Sequence, residues 1–389
     1  MKRLLIILGL VIIPFYEIFL HALPFAVCHA PDTRVTKELI ALVFALSIGL
    51  LAVFEGNIKQ FRNKFLLIIP VYLLFNLIMS PHAPLFINNN EVGDFYFWKP
   101  FAEILCFALM IVAVASMEID LEEIFKVMVW CATIMAVYMI LQRFGLDQFF
   151  KEKQGQEFIQ VHGRDIGGNL GQPTLASSFI VMMIPLAIYL RRYWSIAVIV
   201  IAALFTQGAM VLMALFLIGA ILLIRFNSVF IWIFLSILLA VGFYISIDSS
   251  IRAKAIDRMD GRYGTWQKIV EDIHDGQINS GDKFAITGIG LGRFSFIFPA
   301  KHNSPFQQVH NDTLEFIYDC GLVGGFLLLA GFFMMFNVNL TRQVFPIALS
   351  LITIFFLSMG TFVFQLGAHQ FYSAILVGLI NNDSILRRT

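Results

Sequence analysis

Apolar residues in this chain fall into long blocks separated by short polar connections. Twelve blocks can be read, over residues 3–24, 38–55, 64–80, 97–117, 124–142, 173–190, 194–206, 209–225, 228–247, 313–337, 344–363 and 366–382. Most hold about 17 to 24 residues, enough for a helix to cross a hydrocarbon core of roughly 30 Å. Helix is also how a backbone in lipid satisfies its own hydrogen bonds. The pattern therefore predicts an all-α integral membrane protein of about twelve transmembrane helices. The seventh and eighth blocks are one apolar stretch, divided at Thr206-Gln207-Gly208. The first follows Lys2-Arg3 as a signal peptide would, but it is too long for one, is interrupted by Glu17 and meets no clear cleavage site, so it reads as a retained span.

Lys and Arg in the short connections set the orientation. Lys59, Arg62, Lys64, Arg191, Arg192, Arg225 and Arg342 fall on one side, together with Lys2-Arg3 and Arg387-Arg388 at the termini. This predicts a multi-pass protein of the bacterial inner membrane with both termini cytoplasmic. Two long connections then lie on the periplasmic side, 142–172 and 248–312. The expected organisation is nine spans with the first external loop over 1–247, a periplasmic loop over 248–312, and three spans over 313–389. Few charges interrupt the apolar blocks, Glu17, Glu103 and Glu315 being the notable ones, so the polar chemistry is expected outside the membrane.

The loop from Asp248 carries Arg252, Lys254, Arg258 and Arg262 in close succession. Trp266, Ile269, Val270 and Ile273 follow at helical spacing, predicting a partly helical loop with an apolar stripe. Gly288-Ile-Gly-Leu-Gly292-Arg293 precedes no βαβ unit, so it reads as a tight turn presenting backbone N–H groups and Arg293 rather than as a dinucleotide fingerprint. His310-Asn311 leads into the tenth block. Asp312 and Glu315 stand at capping-box spacing, which makes Asp312 the expected cap. A histidine at a helix N-terminus meets the positive end of the helix dipole, which favours neutral imidazole. It can then serve as general base for a hydroxyl, or be an incidental interfacial residue.

Composition agrees with a membrane class: 59% of the 389 residues are hydrophobic and 14% charged, and the mean hydropathy is +0.81. With a net charge of +1 and no phosphate-gripping basic cluster, no nucleic-acid partner is indicated. Cys28, Cys106, Cys131 and Cys320 have neither C-x-x-C nor metal-ligand spacing.

Three ordered segments resemble the O-antigen ligase and polymerase superfamily. They are Arg164…Gly168-Asn-Leu-Gly-Gln172-Pro173, Gly261-Arg262-Tyr-Gly-Thr-Trp266, and the run from Gly288-Ile-Gly-Leu-Gly-Arg through His310-Asn-Asp-Thr-Leu-Glu315 to Cys320-Gly-Leu-Val-Gly-Gly325. The resemblance implies a membrane glycosyltransferase of GT-C type, inverting and independent of metal or other cofactor. Its donor would be a glycan on undecaprenyl pyrophosphate and its acceptor a hydroxyl at the periplasmic face. O-antigen ligation to lipid A–core is the leading case; polysaccharide polymerase, protein O-oligosaccharyltransferase and a non-enzymatic transporter of lipid-linked glycan are the alternatives.

Carried across, His310 becomes the base or acceptor-orienting group and Arg262 the pyrophosphate-binding cation. Arg164, Arg258 and Arg293 become further donor-binding cations, and Gln172, Trp266, Asn311 and Glu315 acceptor-binding or structural residues. Arginine suits the diphosphate role because it is always charged and bidentate toward phosphate. The family's Thr-x-Ser-Arg element has no counterpart: Thr206-Gln-Gly-Ala209 stands there, without an arginine. Thr174 likewise replaces the family's Asn after Gln172-Pro173.

Overall fold

A computed structural model describes residues 2–22, 33–54, 68–79, 85–87, 90–92, 95–144, 146, 173–206, 208–226, 236, 262–274, 287–302, 309–335, 340–361, 363–382 and 385. The expected span at 228–247, apart from Ser236, and the loop at 147–172 lie outside these residues, as do Arg164, Gln172 and Arg258.

The described chain is all-α apart from a small hairpin. Its elements are α1 (Lys2–Ala22), α2 (Thr33–Phe54), α3 (Ile68–Met79), β1 (Leu85–Ile87), β2 (Asn90–Val92), α4 (Phe95–Ser116) and α5 (Leu121–Arg143). Then come α6 (Pro173–Val181), α7 (Ile184–Tyr189), α8 (Tyr193–Phe205) and α9 (Ala209–Phe226). A helix over residues 262–274 is α10. It is followed by α11 (Phe294–His302), α12 (Asp312–Met335), α13 (Val344–Ser358), a 3₁₀ turn (Val363–Gln365) and α14 (Gly367–Ile380). The strands pair antiparallel, Phe86 facing Glu91.

Helices distant in sequence pack together. The C-terminal α14 lies against α1, α2, α4 and α13, while α5 touches α1, α6, α7 and α8. Gly367, Ala368, His369, Phe371, Tyr372, Ile375, Leu376, Leu379 and Ile380 are all buried, so α14 is enclosed by protein on nearly every face. Buried side chains from α1, α2, α4 to α9, α13 and α14 join in one core.

The twelve-span expectation is corrected here. Among the described residues three helices are long and apolar enough to cross a membrane: Lys99–Ser116, Leu121–Arg143 and Asp312–Phe333. Six other apolar helices are shorter, among them Tyr193–Phe205, Val344–Ser358 and Gly367–Ile380. The physical reason is twofold. At 1.5 Å per residue, the 15 residues of α13 reach only about 22 Å, short of a core of about 30 Å. Also, a helix apolar all round can be apolar because protein surrounds it, as protein surrounds α14. Hydropathy does not separate those causes. The chain is membrane-associated, with more than one apolar helix of spanning length.

Candidate functional site

The polar residues singled out after position 260 converge on the N-terminal end of α12. Helix α10 brings Arg262 and Trp266 there. It buries Thr265, Ile269 and Asp272 and leaves Val270 55% exposed, so its inward face is turned slightly from the expected stripe. Ile269 packs with Ile289, Phe294, Phe298, Val309 and Tyr318 in a small apolar core of its own, flanked by Trp266, Ile273, Ile297 and Leu314.

A buried carboxylate ties this core together. Asp272 accepts from Lys301 Nζ at 2.6 Å, from the Tyr318 hydroxyl at 2.8 Å, and meets His302 Nε2 at 2.8 Å. Burial alone would raise its pKa, but the contacts with His302, Lys301 and Tyr318 together outweigh burial and hold it below the ordinary value. One side chain thus locks α10 to α11 and α12.

The glycine cluster forms the expected tight turn, and the backbone N–H groups it presents are taken up by α12. Gly288, Gly290 and Gly292 have φ of 73°, 108° and 76°. Their amides meet the C-terminal end of the first half of α12: Ile289 N donates to Tyr318 O at 3.2 Å and Gly290 N to Asp319 O at 2.8 Å. The Asp319 carboxylate then accepts from Gly292 N at 2.7 Å and Phe294 N at 2.9 Å. Helix α12 is broken at this point, Gly321 having φ 70° and ψ −176°. A Cβ on Gly288 would lie 2.2 Å from the Asp319 carbonyl oxygen, so glycine is required by close backbone approach as well as by φ. Arg293 stands beside this carboxylate and interacts with its charge.

The cap of α12 is one residue earlier than expected. Asn311 Oδ1 accepts from Leu314 N at 3.0 Å, and Asn311 O accepts from Glu315 N at 3.0 Å, which makes Asn311 the N-cap. Asp312 instead accepts from Phe364 N at 2.9 Å and joins α12 to the 3₁₀ turn. Glu315 reaches back to Val309 N at 3.1 Å, and Trp266 Nε1 donates to Val309 O at 2.9 Å. Both backbone groups of Val309 are therefore held, and the next residue is His310.

His310 has φ 55°, left-handed backbone that few residues other than glycine adopt. Such strain clusters at functional positions when the surroundings enforce it, and the grip on Val309 and Asn311 does so here. Burial, and second the charge of Arg262, push the imidazole pKa from 6.5 down to about 4. Arg262 is itself positioned by donating from Nη1 to Gly360 O at 3.1 Å. The site so described brings together His310, Arg262, Trp266, Asn311 and Glu315, with Arg293 at the adjoining glycine turn. It offers a neutral nitrogen base beside a fixed cation.

Asp272, Lys301, His302 and Asp319 were not anticipated. Asp319 carried a readable signal, because a carboxylate inside an apolar block requires donors, and the preceding glycine run is rich in amide donors. Asp272 carried none, since a lone acid on a helix reads as solvated. Among the described residues no three of His, Cys, Asp and Glu are grouped as a metal site.

No protein-family model matches this chain, and no curated protein matches it. Among the described residues the helices do not form a twelve-span GT-C bundle. The reading of the chain as a GT-C ligase joining a glycan to lipid A–core, with the polymerase and other twelve-span alternatives built on it, does not stand.

Proposed function

We propose that the chain is a membrane-bound transferase whose chemistry takes place at His310, with Arg262 as the charge-compensating group. The observation that carries this reading is the pairing of a partly buried, neutral His310 on strained backbone with a guanidinium held close enough to depress its pKa. Neutral imidazole accepts the proton of an acceptor hydroxyl as its oxygen attacks the donor carbon. The bond to the leaving oxygen breaks and the electron pair departs with the leaving group. Arg262 suits a phosphate leaving group, because guanidinium charge is permanent and its donors match phosphate oxygens. A donor saccharide on a lipid diphosphate is the substrate class that the motif resemblance supplies, and a lipid carrier fits a site at the end of a spanning helix. The inner membrane, cytoplasmic termini and a periplasmic site are part of the same proposal. They draw support from the placement of Arg191, Arg192 and Arg342 at the end of α13 remote from Gly360.

The test is transfer by the purified full chain from a polyprenyl-diphosphate-linked oligosaccharide to a hydroxyl acceptor. His310→Ala is expected to lower the rate by about 100-fold or more, the range of a lost general base. Arg262→Ala is expected to act comparably, and Arg262→Lys to recover only part. Wild-type rates in both alanine variants overturn the proposal.

A further inference from the structure

A second cluster of cations lies at the other end of α13. Glu122, Lys126, Tyr189, Leu190, Arg191, Arg192, Thr341, Arg342 and Gln343 line a cleft of about 720 Å³. Four of these residues are cationic and one is acidic. Lys126 is paired with Glu122 at 2.8 Å on α5. The side chains of Arg191 and Arg342 have no ion pair or hydrogen bond among the described residues. By contrast, nearby Arg225 is engaged, donating to Leu340 O at 3.3 Å.

Arg191 stands where glycine is preferred. The end of α7 is a Schellman motif: Arg191 N donates to Ile188 O at 3.0 Å and Arg192 N to Ala187 O at 2.9 Å. Arg191 takes the left-handed position with φ 55°. A cation thus occupies a conformation that costs it energy and that glycine would occupy freely. From this position Arg191 lines the cleft.

Exposed aromatic rings lie next to Arg192. Arg192 lies over the Trp130 ring at 5.8 Å, and Trp130 packs against Trp194 at 5.2 Å. Trp130 and Trp194 are each 45% exposed and Tyr193 69%. Exposed Trp and Tyr beside arginine mark the headgroup level of a membrane. The N-cap residues of α8 and α13, Arg192 and Gln343, also line the cleft, and neither side chain caps its helix.

We infer that this cleft is a phosphate-binding site for the headgroup of an anionic membrane lipid, held by Arg191, Arg192 and Arg342 at the membrane face opposite His310. The inference is independent of the transfer reaction proposed above.

The experiment uses the full chain reconstituted in phosphatidylcholine vesicles with and without phosphatidylglycerol, followed by extraction and native mass spectrometry of retained lipid. Retention of phosphatidylglycerol by the wild type is expected. Arg191→Gln and Arg342→Gln should each weaken it by about fivefold, the contribution of one cation near an anionic surface. Arg191→Gly separates a binding role from a structural one: it is expected to raise the melting temperature and yet weaken retention. Equal retention in wild type and variants overturns the site. Unchanged retention in a stabilised Arg191→Gly overturns the role of the strained arginine. If inorganic phosphate alone raises the melting temperature as much as phosphatidylglycerol does, the lipid assignment is overturned.

Discussion

The two ends of α13 use arginine in opposite ways. At the Gly360 end, Arg262 is held by a backbone carbonyl, and the neighbouring carboxylates are consumed internally, Asp319 by two amides and Asp272 by Lys301, Tyr318 and His302. At the Gln343 end, Arg191 and Arg342 line an open cleft, and one of them stands on strained backbone. The first arrangement fixes groups before any ligand arrives, as catalysis requires. The second leaves charge available at a membrane face, as binding requires. Internal satisfaction of polar groups is what distinguishes them.

Breaking the interlock at the first end should have the largest effect. Gly288→Ala places a Cβ against the Asp319 carbonyl and keeps a non-glycine residue at φ 73°. A loss of about 2–4 kcal/mol is expected from overpacking plus left-handed strain, read as a lowered melting temperature; a neutral substitution would mean that the turn does not hold α12. Asp272→Ala leaves the buried Tyr318 hydroxyl without its acceptor and should cost about 2–3 kcal/mol, measured in the same way. Asn311→Ala removes the cap of α12 at a cost of about 1 kcal/mol, and should also loosen His310 enough to lower transfer. At the second end the sign reverses: Arg191→Gly should stabilise the chain by about 1 kcal/mol. Destabilisation there would erase the contrast between the ends.

The helical segments were legible because apolar blocks bounded by polar residues mark helices whatever surrounds them. The block at 97–117 corresponds to α4, and that at 124–142 to α5. Their environment was not legible, since enclosure of α14 by α1, α2 and α4 depends on contacts between residues hundreds of positions apart. The gathering of Arg262, Trp266 and His310 was readable as motif order. The inward-facing amides of the glycine turn were not, because their acceptors Tyr318 and Asp319 lie 25 to 29 residues further along the chain from the four donors. The one-residue displacement of the cap arose because Asn and Asp are near-equal N-caps, and only the bond from Leu314 N to Asn311 decides between them.

Acid stability depends on His310 with a definite sign. Its folded pKa lies below 6.5, so the unfolded chain takes up a proton as the pH falls through 6.5, while the folded chain does so only near 4. His310 therefore contributes a loss of stability as the pH falls across that window, restored as the pH rises above it. The most direct measurement is an NMR titration of the histidine rings in the full chain, with His310 assigned by its absence in His310→Gln. The account predicts that His310 titrates near 4 and moves upward in Arg262→Gln. Titration near 6.5, unchanged by Arg262→Gln, would contradict it.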